Sequence, residues 1–503
     1  MVSFKHPQFG PERRRLLALA VTALAVELVY WFVVSAGHFT HWPLTTNYVN
    51  DLAEGFRHGH LHLATEPPPA LLAAPNPFDP ANVNYWLWDA SFHGGHYYLY
   101  WGPVPALLLA AFKFTFHISS VVGDEVVVFA LTTIQLCAGT LFLERAGRRL
   151  LPGTPLILEI TAVAVFGLCN PTLYNLARPA IYETAIVGGQ AFLVLGLVFA
   201  FDGVAEIRVR PRGLVAAAAA WVAAIGCRTS LGPAVAVMMG LTVLALGLPK
   251  QDRWRRLGQT ALRLVLPALL GLFLLLAYNR LRFGAWLDFG LKHQLSWIDM
   301  RVGRAFLPPN LYAYLRRPPV WSCRFPFAYA ILDMGLRAFP PRSILPPGYF
   351  IYEEVAGVLP TFPWAWLALP ALVAALRSTW RTRALSPFSW AVGSSALGAT
   401  AALAPLLFLS TATNRYLGDV AGLLALLGAL GAFALVEALR ARPGARRLTV
   451  AGALFLAVAT AGMGIALGIK GQYAHFETHN PQLYEKLVHR LSLCHGAIPP
   501  EPK

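Results

Sequence analysis

The sequence predicts an all-α protein, a polytopic transmembrane helical bundle of about eleven or twelve spans with two long extracytoplasmic loops carrying short interfacial helices. Three observations predict it. The 503 residues are 56% hydrophobic and only 13% charged, with a mean hydropathy of +0.52. Apolar runs recur along the chain at or near the roughly 20 residues that cross about 30 Å of hydrocarbon. The basic residues behind the net charge of +16 fall in short clusters between those runs. They read as orientation signals, and no stripe of them marks a nucleic-acid surface.

In chain order, residues 1–15 end in a basic PERRR and precede an apolar run from Leu16 to Ala36 with no small-residue cleavage site, so a retained first helix with a cytoplasmic N-terminus is expected. A long polar loop, 37–101, follows. A merely spanning protein would use a short turn there, so recognition or chemistry is expected in it. The segment Gly102 to Ser119 is apolar but carries Pro103, Pro105 and Lys113. Further apolar runs occupy 125–143, 155–171, 184–202, 214–231, 233–249, 259–279, 362–376, 387–410, 417–439 and 448–469. The basic clusters ERAGRR (144–149), RVRPR (208–212), KQDRWRR (250–256), RSTWRTR (377–383) and ARPGARR (441–447) all fall on the N-terminal side only if 102–119 does not fully cross. A true crossing is the alternative. The organisation is then a transmembrane module over 16–279, a second outer loop over 280–361, C-terminal spans over 362–469 and an outer tail over 470–503. Cys137, Cys169 and Cys227 lie in apolar runs; Cys323 and Cys494 lie in outer loops, and the sequence leaves open whether they pair.

Candidate chemistry gathers on the outer face. Asp51 sits in a short amphipathic stretch whose apolar positions Val49, Leu52, Ala53 and Phe56 follow helical spacing. A carboxylate held beside apolar walls gains basicity and suits a general base; the alternative is a solvated loop aspartate. Glu54, Asp89 and His93 lie in the same loop as acceptor or accessory groups. His58, His60 and His62 alternate, which allows chelation only from an extended strand or turn, and no HExxH or CxxC accompanies them. A divalent ion on Asp51 and phosphate oxygens is the other metal option. Arg178, Tyr182 and Glu183 stand at one helix mouth, and Arg228, Arg280, Arg282, Arg415 and Tyr416 at others. Arginines on the outer face run against the orientation rule; binding a lipid-borne phosphate explains them, and snorkelling is the bland alternative.

The early acid in NYVNDLAEGF, the passage WDASFHGGHYYLYWGPVPALLL, the ARPAIYE stretch and the late NRYLGD together resemble the polytopic glycosyltransferases with the GT-C fold, a class that includes protein O-mannosyltransferases and lipid A aminoarabinose transferases. The resemblance spans most of the chain. It implies inverting transfer of a sugar from a polyprenyl-phosphate donor to the hydroxyl of an acceptor glycan, lipid or protein, on the extracytoplasmic face of an inner or plasma membrane. Asp51 matches the first-loop acid, Glu183 with Arg178 a second acidic site, and Arg415 with Tyr416 the motif near the carrier; Arg228 and Arg282 join the donor-phosphate set. The adjacent acidic pair of some members is missing, because Asn50 and Leu52 flank Asp51. A transporter or flippase of a lipid-linked saccharide is the rival; it needs paired broken helices or mid-span charges, and few appear. A non-catalytic membrane scaffold is a third reading.

Overall fold

A computed structural model describes residues 10–247, 253–296, 298, 300–330, 345–351 and 353–494. The expectations for 1–9, for 248–252, for 331–344 of the second loop and for the tail beyond 494 lie outside the described residues. The helices of ten residues or more are α1 (Pro11–Val34), α2 (Tyr48–Arg57), α3 (Val104–Thr115), α4 (Asp124–Arg149), α5 (Leu156–Leu168), α6 (Ile181–Ala205), α7 (Pro211–Cys227), α8 (Gly232–Gly247), α9 (Arg253–Phe283), α10 (Ala368–Thr382), α11 (Pro387–Leu403), α12 (Gly418–Ala438), α13 (Pro443–Lys470) and α14 (Pro481–Leu491). Among the described residues, sheet is confined to two small hairpins, one of them β1 (Ser91–His93) with β2 (His96–Tyr98) in the first loop. Gly94 and Gly95 turn it with positive φ, the backbone that a two-residue hairpin requires.

Eight helices among the described residues are long and apolar enough to cross a membrane, and α3, α5 and α7 are shorter apolar helices. The expected run at 362–376 forms a 3-10 turn, Pro363–Leu367, followed by α10, whose last turns carry the basic RSTWRT and fall outside both groups. The bundle is built around α6 and α12, each with 83% of its apolar window buried, whereas α9 buries 11%. That contrast assigns the leucine- and phenylalanine-rich flank of α9 to lipid and the two central helices to packing. Close approach needs small residues: a Cβ on Gly431 of α12 would stand 1.8 Å from the Leu367 carbonyl oxygen.

Ion pairs show which loops share an end of the bundle. Arg148 meets Glu12 at 2.8 Å and Arg15 meets Glu159 at 2.5 Å, so the start of α1 and the end of α4 lie together. Arg446 donates to the Gly153 carbonyl and Arg256 to that of Ile207, which brings the late and middle basic clusters to the same end. Because α1 and α4 each run end to end, nothing between them crosses. Helix α3 fits this, since 12 residues reach only about 18 Å. Its Lys113 is buried, donates to Asn50 at 2.7 Å and pairs with Glu54 of α2. Segment 102–119 therefore docks on α2, and the apolar positions Val49, Leu52 and Ala53 of α2 are buried inside the protein.

The opposite end holds both long loops. Asp124 at the start of α4 accepts from the Thr46 hydroxyl at 2.5 Å and the Val49 amide at 3.0 Å, while Thr46 takes the first amide of α6 at 3.0 Å. One carboxylate thus fixes α2 beside the mouth of α6. Cys323 and Cys494 are joined in a disulfide, with Cα atoms 5.5 Å apart, so the second loop is fastened to the C-terminal segment.

Candidate active site

At the loop end, a cavity of about 910 Å³ opens between the first long loop, the mouths of α6 and α7, the chain after α9 and the start of α12. Its wall carries Asp89, Tyr182, Arg228 and Tyr416, together with Asp288 and Lys292. Entry of the chain into α3 is pressed against α7: a Cβ on Gly102 would lie 1.8 Å from the Gly226 carbonyl oxygen, so only glycine lets the first loop close on the mouth of α7 here.

Beneath the wall lies a buried ionic cluster. Arg415 is 2% exposed, pairs with Glu353 at 2.6 Å and stands 3.6 Å from Glu183. Its guanidinium carbon is 3.9 Å from the centroid of the Tyr182 ring and 5.6 Å from that of Tyr416. Glu353 also accepts from Thr413 at 2.5 Å, and Glu183 accepts from the Ala180 amide at 3.3 Å, which caps α6. With its cationic fork held by two carboxylates, Arg415 does not line the cavity. It holds in place the two tyrosines that do.

Arg228 is the arginine that reaches the cavity. Its Nε donates to Asp419 at 2.6 Å and its guanidinium carbon lies 5.0 Å from the centroid of the Tyr416 ring. Asp419 engages Arg228 through Nε, and Arg228 lines the open volume; a guanidinium is the side chain that can take a phosphate bidentately. Asp89 faces the same volume from the first loop. Its backbone is left-handed, with φ +62°, and one carboxylate oxygen accepts from Gln294 at 2.8 Å. Aspartate is among the few side chains that adopt this backbone readily.

Other residues expected from the sequence are placed elsewhere. Asp51 is 9% exposed, but its carboxylate accepts from Thr65 and, at 3.4 Å, from Asn47, and it does not line the cavity. Glu54 is engaged by Lys113 and by Arg57 at 3.0 Å. The guanidinium of Arg178 lies 5.2 Å from the Tyr473 ring. Arg282, 5% exposed, donates to Asn279 at 2.8 Å and lines a neighbouring apolar groove. His93 packs 4.6 Å from His293, which hydrogen-bonds Asp288 at 3.1 Å. The His60, His62 and His96 rings stack at 4.8 and 4.2 Å. Among the described residues no group of three or more acidic, histidine or cysteine side chains is arranged to hold an ion, so HGHLH forms no chelating cluster, while an ion shared between Asp51 and phosphate oxygens would need no such group. Glu353, Asp288 and Asp419 were not singled out from the sequence, although the paired acids at 353–354 and the aspartate four residues after Arg415 were visible signals.

Burial pushes the Asp51 carboxyl above its ordinary range, against the pull of the Thr65 hydrogen bond. A carboxyl raised on folding stabilises the fold at low pH, and that contribution is lost as pH climbs through the folded value. Asp51→Asn is accordingly expected to hold or raise the melting temperature at neutral pH, with the gap from the native chain closing on acidification; thermal melts at pH 4 and 7 check this.

No protein-family model and no curated protein matches the chain. Among solved structures, it is similar to the oligosaccharyltransferase of Archaeoglobus fulgidus in the apo form, at 14% identity and a TM-score of 0.49 over 90% of this chain. The chain spans 56% of that protein's length. It is also similar to ArnT from Cupriavidus metallidurans bound to undecaprenyl phosphate, at 15% identity and a TM-score of 0.44, covering 93% of this chain and 79% of that one.

Proposed function

We propose that this chain is a membrane glycosyltransferase that moves a sugar from a polyprenyl-phosphate donor to an acceptor hydroxyl. One observation carries the reading. The polar cavity shares Tyr100, Trp101, Thr229 and Phe289 with an adjoining apolar groove of about 880 Å³ between α7, α8 and α9. A charged cavity continuous with a groove between spans fits a substrate with a phosphate head and a long hydrocarbon tail.

In the mechanism this supports, the tail lies along Val222, Val235 and Ala268, with Arg282 at the groove mouth and Arg228 at the phosphate. The acceptor oxygen attacks the anomeric carbon as the bond from that carbon to the phosphate oxygen breaks; Arg228 balances the charge on the departing phosphate, and the anomeric centre inverts. Asp89 takes the acceptor's proton. Asp51, expected in that role from sequence, instead secures the loop through Thr65 and Asn47, and Glu183 acts through Arg415. Asp288 and Lys292 face the acceptor side. The acceptor is a glycan, lipid or protein hydroxyl.

An extracytoplasmic site in an inner or plasma membrane is supported by the gathering of basic clusters at the far end of the bundle and by the Cys323–Cys494 bridge at this end, since disulfides persist in oxidising compartments. The purified chain is tested with a panel of polyprenyl-phosphate sugars; release of free polyprenyl phosphate is the expected signal, and its absence across the panel counts against the reading. The groove has its own test. A Cβ on Gly240 meets nothing within 4 Å, and the residue lines the groove. Gly240→Trp is expected to fill the tail's path, raise KM for a long-chain donor about tenfold and leave a short-chain donor much less affected, as donor-dependence kinetics read directly.

A further inference from the structure

A second cavity, of about 720 Å³, opens at the opposite end of the bundle, where the end of α6 turns into the start of α7. Asp202 in its wall and Glu183 at the catalytic end are 19 residues apart on one helix, or about 28 Å. Four arginines line it, Arg145, Arg208, Arg210 and Arg212, against the single carboxylate of Asp202. Just outside, Arg149 bridges Asp202 at 3.1 Å and Glu206 at 3.5 Å, and Arg210 meets Glu206 at 2.5 Å. The two acids thus hold Arg145, Arg149 and Arg210, which leaves three positive charges in excess. Arg208 and Arg212 make no ion pair among the described residues.

Orientation alone would account for basic residues at this end, but it requires neither a concave site nor unpaired guanidinium groups converging on it. The floor adds a chemical clue. Val198 and Phe199 belong to the apolar span of α6, and Phe199 is 38% exposed. The geometry points to a binding site for the phosphate headgroup of an anionic phospholipid, with Arg208 and Arg212 on the phosphate oxygens and an acyl chain running down past Phe199. Guanidinium forks match phosphate oxygens bidentately, and basic pockets at the ends of spans recruit anionic lipids.

The test is native mass spectrometry of the full chain in detergent, titrated with phosphatidylglycerol, phosphatidylcholine or inorganic phosphate. Phosphatidylglycerol is expected to bind and phosphatidylcholine to bind far less. Arg208→Gln/Arg212→Gln is expected to weaken the phosphatidylglycerol adduct about tenfold or more, with the lipid-free melting temperature little changed, because both side chains are exposed and neither makes a close ion pair among the described residues. Arg381→Gln/Arg447→Gln, which removes two exposed arginines from other clusters, is expected to have no effect. Equal loss in both double variants reduces the result to overall charge and overturns the site, as does an undiminished adduct in the first. Competition on the unaltered chain needs no variant: displacement of the lipid by millimolar inorganic phosphate overturns the lipid assignment in favour of a soluble phosphate.

Discussion

Arg415→Ala is expected to abolish the proposed transfer and to lower the thermal midpoint of the purified chain. The side chain is 2% exposed and is the cation between Glu353 and Glu183, which are themselves 2% and 1% exposed. Removing it strands two buried carboxylates, and breaking a buried ion pair from one side costs about 3–5 kcal/mol. Tyr182 and Tyr416, stacked on the guanidinium, lose the surface that aims them at the cavity. Arg415→Lys recovers little, because one ammonium cannot hold two carboxylates and lie between two rings. Fluorescence-detected melting in detergent and a transfer assay on the same samples decide it; a melting point within a degree or two of the unaltered chain removes the cluster from its structural role.

Asp89→Asn separates chemistry from folding. Asparagine tolerates the left-handed backbone at φ +62° and keeps a carbonyl oxygen for the Gln294 amide. The fold is expected to stay intact while the rate of transfer falls about 10²–10⁴-fold, the usual contribution of a general base. Asp51→Asn, whose carboxylate does not line the cavity, is expected to keep most of the activity. A reversal, with Asp51→Asn inactive and Asp89→Asn near normal, would return the base role to Asp51.

Much of this was legible in the sequence, and the reasons differ by element. The spans announce themselves because apolar length is a one-dimensional property. The basic clusters favoured a segment 102–119 that does not fully cross and left a crossing open; Lys113 fits the former, with Asn50 and Glu54 as its partners. NRYLGD announced a charged helix mouth. Its wiring stayed hidden: Arg415 finds Glu353 and Arg228 finds Asp419 across 62 and 191 positions of chain, distances that no local pattern encodes. Asp51 and Asp89 looked alike as loop acids; only the fold of the first loop, with Thr65 closing over one and Gln294 presenting the other, tells them apart. Alternation in the histidine run allowed a chelating strand without favouring it, and the rings of His60, His62 and His96 stack face to face.

The clasp between Arg148 and Glu12 also constrains how the chain is made. With both tips on one side and α3 never passing through, everything between α1 and α4, residues 35–123, has to be delivered to the other side of the bundle as a single piece during synthesis. That piece carries its own helices and hairpin, so it can settle on the far side, with Lys113 already locked to Glu54, before the ribosome has finished any of the later segments that roof the cavity.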